Sequence, residues 1–187
     1  AGRPGVGETR GKGSDGVATL GGEGRRCGIG EGRAVIEHEE ADVAGLAYGV
    51  VGKRAREAVE LRGPEHRVSV YDAGFAKPVD TELITSLLTR RIPIVTIEDH
   101  GPVGGFGAAV VEAASELGLD AGLIRRLALP DAWVFQDSRG AQLEEVGLDP
   151  AGIARSIREA EEGQGDRRVR IETRTSRPGA AKETTAR

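Results

Sequence analysis

Short apolar runs alternate with amphipathic segments along the middle of the chain. The run Val43–Tyr48 predicts a strand buried on both faces, because its apolar residues follow one another without a polar face. Segment 53–61 carries apolar side chains at spacings of three and four, which is typical of a helix, and Gly63-Pro64 ends it. Further strands are predicted at 67–72, 94–98 and 123–129, and further helices at 82–90, 108–117, 140–145 and 149–161.

This alternation predicts the fold class. Strands that alternate with helices of about ten residues are joined by right-handed crossovers, so the sheet is mostly parallel and helices cover both of its faces. The sequence therefore predicts an α/β three-layer sandwich. Asp80 or Thr81 is expected to cap the helix at 82–90.

The composition divides the chain into three parts. Glycine accounts for 29 of the 187 residues and is concentrated in segment 1–32, which we interpret as a linker or the remnant of a preceding domain, with order beginning near Asp42. Segment 33–162 is predicted to be the α/β domain. Segment 163–187 holds seven Lys or Arg against three Asp or Glu and only two large aliphatic residues, so we expect a disordered basic tail.

The charge and the hydropathy exclude several classes of protein. The formal net charge is -4, which argues against nucleic acid as the main partner, because duplex binding needs a positive surface. No apolar run approaches the roughly 20 residues of a membrane-spanning helix, and no basic-then-apolar leader opens the chain, so we expect a cytoplasmic protein without membrane contact. The single cysteine, Cys27, cannot form an internal disulfide and has no nearby base that would activate it.

A glycine-rich stretch at 104–107 follows a predicted strand and opens a predicted helix. Backbone N–H groups in such a turn can hold a phosphate. The spacing here fits neither the dinucleotide pattern G-x-G-x-x-G nor the nucleotide pattern G-x-x-x-x-G-K-[ST]. We therefore expect these glycines to let the helix pack closely on the strand.

Three polar residues, Glu98, Asp99 and His100, follow one another at the carboxyl end of a predicted strand. Open α/β sheets place ligands at this edge, which makes the three residues the best local candidates for acid–base chemistry. The favoured alternative is that they form polar contacts at a domain or subunit boundary, because no nucleophile lies nearby in sequence. His38 and His66 have no partner at ligand spacing, so no metal site is predicted.

Seven blocks of sequence occur in a recognisable order: Gly-Ile-Gly-Glu-Gly at 28–32, Val-Ala-Gly-Leu-Ala-Tyr-Gly at 43–49, Val-Tyr-Asp-Ala-Gly-Phe-Ala-Lys-Pro-Val-Asp at 70–80, Val-Thr-Ile-Glu-Asp-His-Gly at 95–101, Gly-Gly-Phe-Gly-Ala-Ala-Val at 104–110, Leu-Pro-Asp at 129–131 and Glu-Val-Gly-Leu-Asp at 145–149. Together they resemble the C-terminal, transketolase-like domain of the 1-deoxy-D-xylulose-5-phosphate synthases. The chain departs from that family at Gly74, where an arginine is usual.

The resemblance implies a homodimeric thiamine-diphosphate enzyme of the transketolase group. Such enzymes condense pyruvate with glyceraldehyde 3-phosphate and release carbon dioxide, for isoprenoid and thiamine precursor synthesis. In the family, Mg²⁺ and a Gly-Asp-Gly motif of the first domain hold the cofactor, and a glutamate of the second domain activates it. This chain contains no Gly-Asp-Gly triplet. We therefore expect it to be a fragment that supplies no catalytic residue and, by itself, binds no thiamine diphosphate or Mg²⁺.

One substrate-binding residue is implied by the resemblance. In relatives the second domain ends with Arg-Tyr-Pro-Arg-Gly, whose final arginine binds the substrate phosphate, and residues 8–11 align with the last four positions of that motif. Arg10 is the matching residue, and a guanidinium group suits a phosphate dianion. Glu8 and Thr9 replace the tyrosine and the proline, so the alternative is a solvated linker arginine.

Three functional hypotheses remain open. The first is the C-terminal domain of a deoxyxylulose-phosphate synthase, whose task is to pack on the other domains and the partner subunit, with loop 99–106 as the contact surface. The second is a stand-alone, non-catalytic interaction module. The third is the equivalent domain of a 2-oxo acid dehydrogenase beta subunit, against which the block Phe-Ala-Lys-Pro-Val-Asp speaks.

Limited trypsin treatment tests the predicted domain boundaries. We expect rapid cleavage at the arginine-rich sites before Glu31 and after Glu162, because exposed segments without packed neighbours are cut first, and a resistant middle fragment. Mass spectrometry of the fragments over time gives the cleavage order. Rapid cleavage at Arg90 or Arg125 would contradict the boundaries.

Overall fold

The computed structural model describes residues 28–163 and the two residues 18–19. Arg10, Cys27 and nearly all of the segment predicted as a basic tail lie outside the described residues. The described strands are β1 (Ala18–Thr19), β2 (Arg33–Glu37), β3 (Val43–Tyr48), β4 (Val68–Asp72), β5 (Ile94–Glu98) and β6 (Ile124–Leu127). The described helices are α1 (Gly52–Arg62), α2 (Thr81–Thr89), α3 (Phe106–Glu116), α4 (Arg139–Glu145) and α5 (Pro150–Glu162), with 3₁₀ turns at Gly49–Val51 and Ala121–Leu123.

The strands form one sheet in the order β1-β2-β4-β3-β5-β6. Strands β3, β4, β5 and β6 are parallel to one another, whereas β2 pairs antiparallel with β4, and β1 pairs antiparallel with β2. The predicted mostly parallel α/β sheet is thus confirmed.

Helices cover both faces of the sheet and give the molecule its three layers. On one face, α1, α4 and α5 bury side chains such as Ala55, Leu143 and Ile153 against the valines of β3 and β4. On the other face, α2 and α3 bury side chains such as Leu87 and Val110 against the facing side of the same strands. Each strand therefore contributes alternate residues to two apolar cores, which is why the central strands read as continuous apolar runs.

The predicted start of order near Asp42 is wrong. Strand β2 begins at Arg33 and pairs with β4 through Ala34 and Tyr71, with an irregularity in register before Ile36. Only Ile36 is buried, Ala34 and Val35 are half-buried, and the charged residues at its ends, Arg33 and Glu37, are exposed. A short strand with charged ends next to glycine-rich sequence gives too weak a signal to be recognised by periodicity.

The predicted helices lie within two residues of their observed bounds. Of the two candidate caps for α2, the structure selects Asp80, whose carboxyl group accepts a hydrogen bond of 2.8 Å from the Leu83 N–H and another of 2.8 Å from the Gly32 N–H. Asp80 therefore also fastens the segment that enters β2. Within residues 28–163, none of the helices combines the length and the apolar character that a bilayer crossing requires.

Candidate functional site

The parallel strands place their carboxyl ends at one edge of the sheet. We call this side of the molecule the carboxyl edge and define it as segments 49–50, 73–80, 99–105 and 128–138, which follow β3, β4, β5 and β6. An open groove of about 580 Å³ lies there. Its lining comes from the ends of β3 and β5, from the Ala76-Lys77 turn and from the first turns of α3.

Glu98 is the last residue of β5 and is fully buried at the base of this groove. One of its carboxyl oxygens accepts a hydrogen bond of 2.6 Å from the Phe106 N–H, and the other accepts one of 2.8 Å from the Gly107 N–H. Both donors belong to the first turn of α3, whose N–H groups have no partner within the helix. Glu98 therefore caps α3 from the neighbouring strand, and the positive end of the helix dipole favours an acidic group at this place.

The glycines of the turn provide the space for this contact. A Cβ atom on Gly105 would lie 2.4 Å from Oε2 of Glu98, and one on Gly107 would lie 3.1 Å from Oε1 of Glu98 and 2.5 Å from Oγ1 of Thr96. Side chains at either position would collide with β5. This geometry agrees with the role predicted for the glycines, which was close packing of a helix on a strand.

The same geometry decides what the glycine-rich turn can bind. A phosphate at a helix N-terminus needs free backbone N–H groups, and here the first two donors of α3 already bond to Glu98. Residues 28–163 also contain no group of three or more His, Cys, Asp or Glu side chains that could hold a metal ion. The described residues therefore do not fit the Mg²⁺-bound diphosphate of thiamine diphosphate.

Asp99 and His100 point to other partners. The Asp99 carboxylate forms an ion pair with Arg139 at the start of α4. The His100 side chain is exposed and lies 3.1 Å from the carbonyl oxygen of Gly101, whereas its backbone carbonyl accepts a 2.9 Å hydrogen bond from the Leu129 N–H. Glu98, Asp99 and His100 thus each hold a different neighbouring element, which favours polar structural contacts over a shared acid–base site.

The groove walls contribute apolar and aromatic surface. The rings of Tyr48 and Phe106 stack with centroids 5.3 Å apart and planes inclined by 19°. Val50 on the rim is 67% exposed. No Ser, Thr or Cys is among the described residues that line the groove. The polar side chains that line it are those of Lys77, Asp99, His100 and Glu112, together with the buried Glu98.

Gly74, the departure from the family pattern, adopts a φ of 65°. Its N–H donates a 3.1 Å hydrogen bond to a carboxylate oxygen of Asp72. Glycine tolerates this left-handed conformation, which other residues adopt at a cost. Glycine at position 74 is thus compatible with the local backbone, whereas an arginine there would have to adopt the left-handed backbone conformation.

The Glu98 contact predicts a selective loss of stability. Glu98→Gln replaces one acceptor oxygen with a donor that faces a backbone N–H, so we expect the free energy of unfolding to fall by about 2 kcal/mol. Urea unfolding measures the change, and hydrogen exchange at Phe106 and Gly107 locates it. Glu116→Gln on the exposed end of the same helix is the matched control and is expected to change stability by less than about 0.5 kcal/mol. Equal effects of the two substitutions would contradict the capping role.

Comparisons with known proteins agree with this architecture. Residues 32–153 match the family model described as the transketolase C-terminal domain. The chain is 41% identical over 129 residues to 1-deoxy-D-xylulose-5-phosphate synthase of Synechococcus sp. (strain JA-2-3B'a(2-13)), covering 68% of this chain and 20% of that protein. It is 36% identical over 129 residues to the synthase of Rhodopirellula baltica, covering 69% of this chain and 20% of that protein. The chain therefore spans about a fifth of the length of these curated relatives.

Solved structures show the same fold. A split-gene transketolase, described as an inactive beta4 tetramer, superposes with a TM-score of 0.59 at 27% identity, covering 74% of this chain and 44% of that one. Transketolase from Leishmania mexicana superposes with a TM-score of 0.52 at 16% identity, covering 72% of this chain and 18% of that one, which bears on the fold alone. With the family model spanning most of the described residues, the chain belongs to the transketolase C-terminal domain family.

Proposed function

We propose that this chain is the C-terminal domain of a 1-deoxy-D-xylulose-5-phosphate synthase. Such an enzyme uses thiamine diphosphate and Mg²⁺ to condense pyruvate with glyceraldehyde 3-phosphate, and it releases carbon dioxide. The proposal includes the homodimer and the cytoplasmic location that the family resemblance implies. The observation that carries it is the 41% identity to a synthase, against 27% to the split-gene transketolase chain.

Within that enzyme, we assign the domain a packing and dimer-supporting role. This assignment is supported by the carboxyl edge, where the α3 N–H groups that could hold a phosphate already bond to Glu98. The cofactor and the reacting groups would then belong to the part of the synthase that this chain does not match. Arg10 remains the proposed contact to the substrate phosphate, carried over from the family motif that it matches.

A stand-alone interaction module is the second candidate. The split-gene transketolase chain shares this fold and forms a tetramer that is described as inactive. That neighbour supports the idea that a chain carrying this domain can assemble without being active. The net charge of -4 in turn supports a protein rather than a nucleic acid as its partner.

Calorimetry tests whether the isolated chain carries a cofactor site. We expect no saturable heat when thiamine diphosphate and Mg²⁺ are titrated into the 187-residue chain, because its described residues provide no fitting donors. The full-length Synechococcus synthase is the positive control in the same buffer. Saturable binding to the isolated chain would overturn the assignment of the cofactor contacts to absent domains.

A chimera tests the proposed enzyme. In the Synechococcus synthase, the segment that matches this chain is replaced by the chain from Gly28 onward. We expect the chimera to form 1-deoxyxylulose 5-phosphate from the two substrates with a kcat/KM within about tenfold of the parent, a difference of about 1.4 kcal/mol in activation free energy. The parent without its C-terminal segment is the control. A chimera that is dimeric by size-exclusion chromatography but as inactive as this control would contradict the proposal.

A further inference from the structure

We draw no further inference here: the strongest candidate, the group of exposed apolar side chains at the carboxyl edge that includes Val103, Trp133 and Phe135, carries none, because nothing in the described part of the chain shows what covers it.

Discussion

Two hydrogen bonds from the first turn of α3 to the buried carboxyl group of Glu98 determine how the carboxyl edge is built. They join the end of β5 to the start of the next helix and so close segment 99–105 into a short loop. The position of this loop places the Asp99 carboxylate against Arg139 and the His100 carbonyl against Leu129. The loop after β6 is in turn held by those contacts. A buried carboxyl group with both oxygens bonded is thus the point from which the rest of this edge is organised.

The same two bonds limit the chemistry of the domain. Helix N-termini at the carboxyl edge of parallel sheets are common anion-binding sites, because their N–H groups are free. In this chain the N–H groups of Phe106 and Gly107 in the first turn of α3 bond to Glu98. The glycines at 105 and 107 leave room for the Glu98 carboxyl group and for no side chain of their own. A ligand would have to displace a buried acidic group to reach these N–H groups, which leaves another buried donor or acceptor without its partner.

The sequence predicts the central strands and the helices because the apolar positions there clearly follow the pattern of a buried strand or the spacing of a helix. The run at β3 and the β-branched run at β5 are apolar on both faces, and the leucines of α2 recur at helical spacing. Strand β2 escapes prediction since only Ile36 is buried and both of its ends, Arg33 and Glu37, are charged and exposed. Its pairing with β4 depends on tertiary contacts rather than on local pattern.

The role of Glu98 is less predictable from the sequence than the central strands and more predictable than strand β2. Its place at the end of a strand marks it as a candidate for chemistry, and the sequence also contains the signal for its actual role: glycines at positions 105 and 107, just where the α3 amides approach it. That signal is readable only once the distance between Glu98 and the helix is known, because Phe106 lies eight positions further along the chain. No comparable sequence signal predicts the exposure of Trp133 and Phe135, because the sequence of a loop does not show which of its side chains are buried.

The carboxyl edge of this domain combines a helix N-terminus bonded to an internal carboxyl group with exposed apolar side chains. In open α/β sheets this edge is where ligands bind, since strands end there and loops diverge. Here an internal acidic group occupies the helix N-terminus, and the surrounding loops carry exposed valine, tryptophan and phenylalanine side chains. Two helix amides at this edge are thus used inside the domain, and the apolar side chains beside them are exposed.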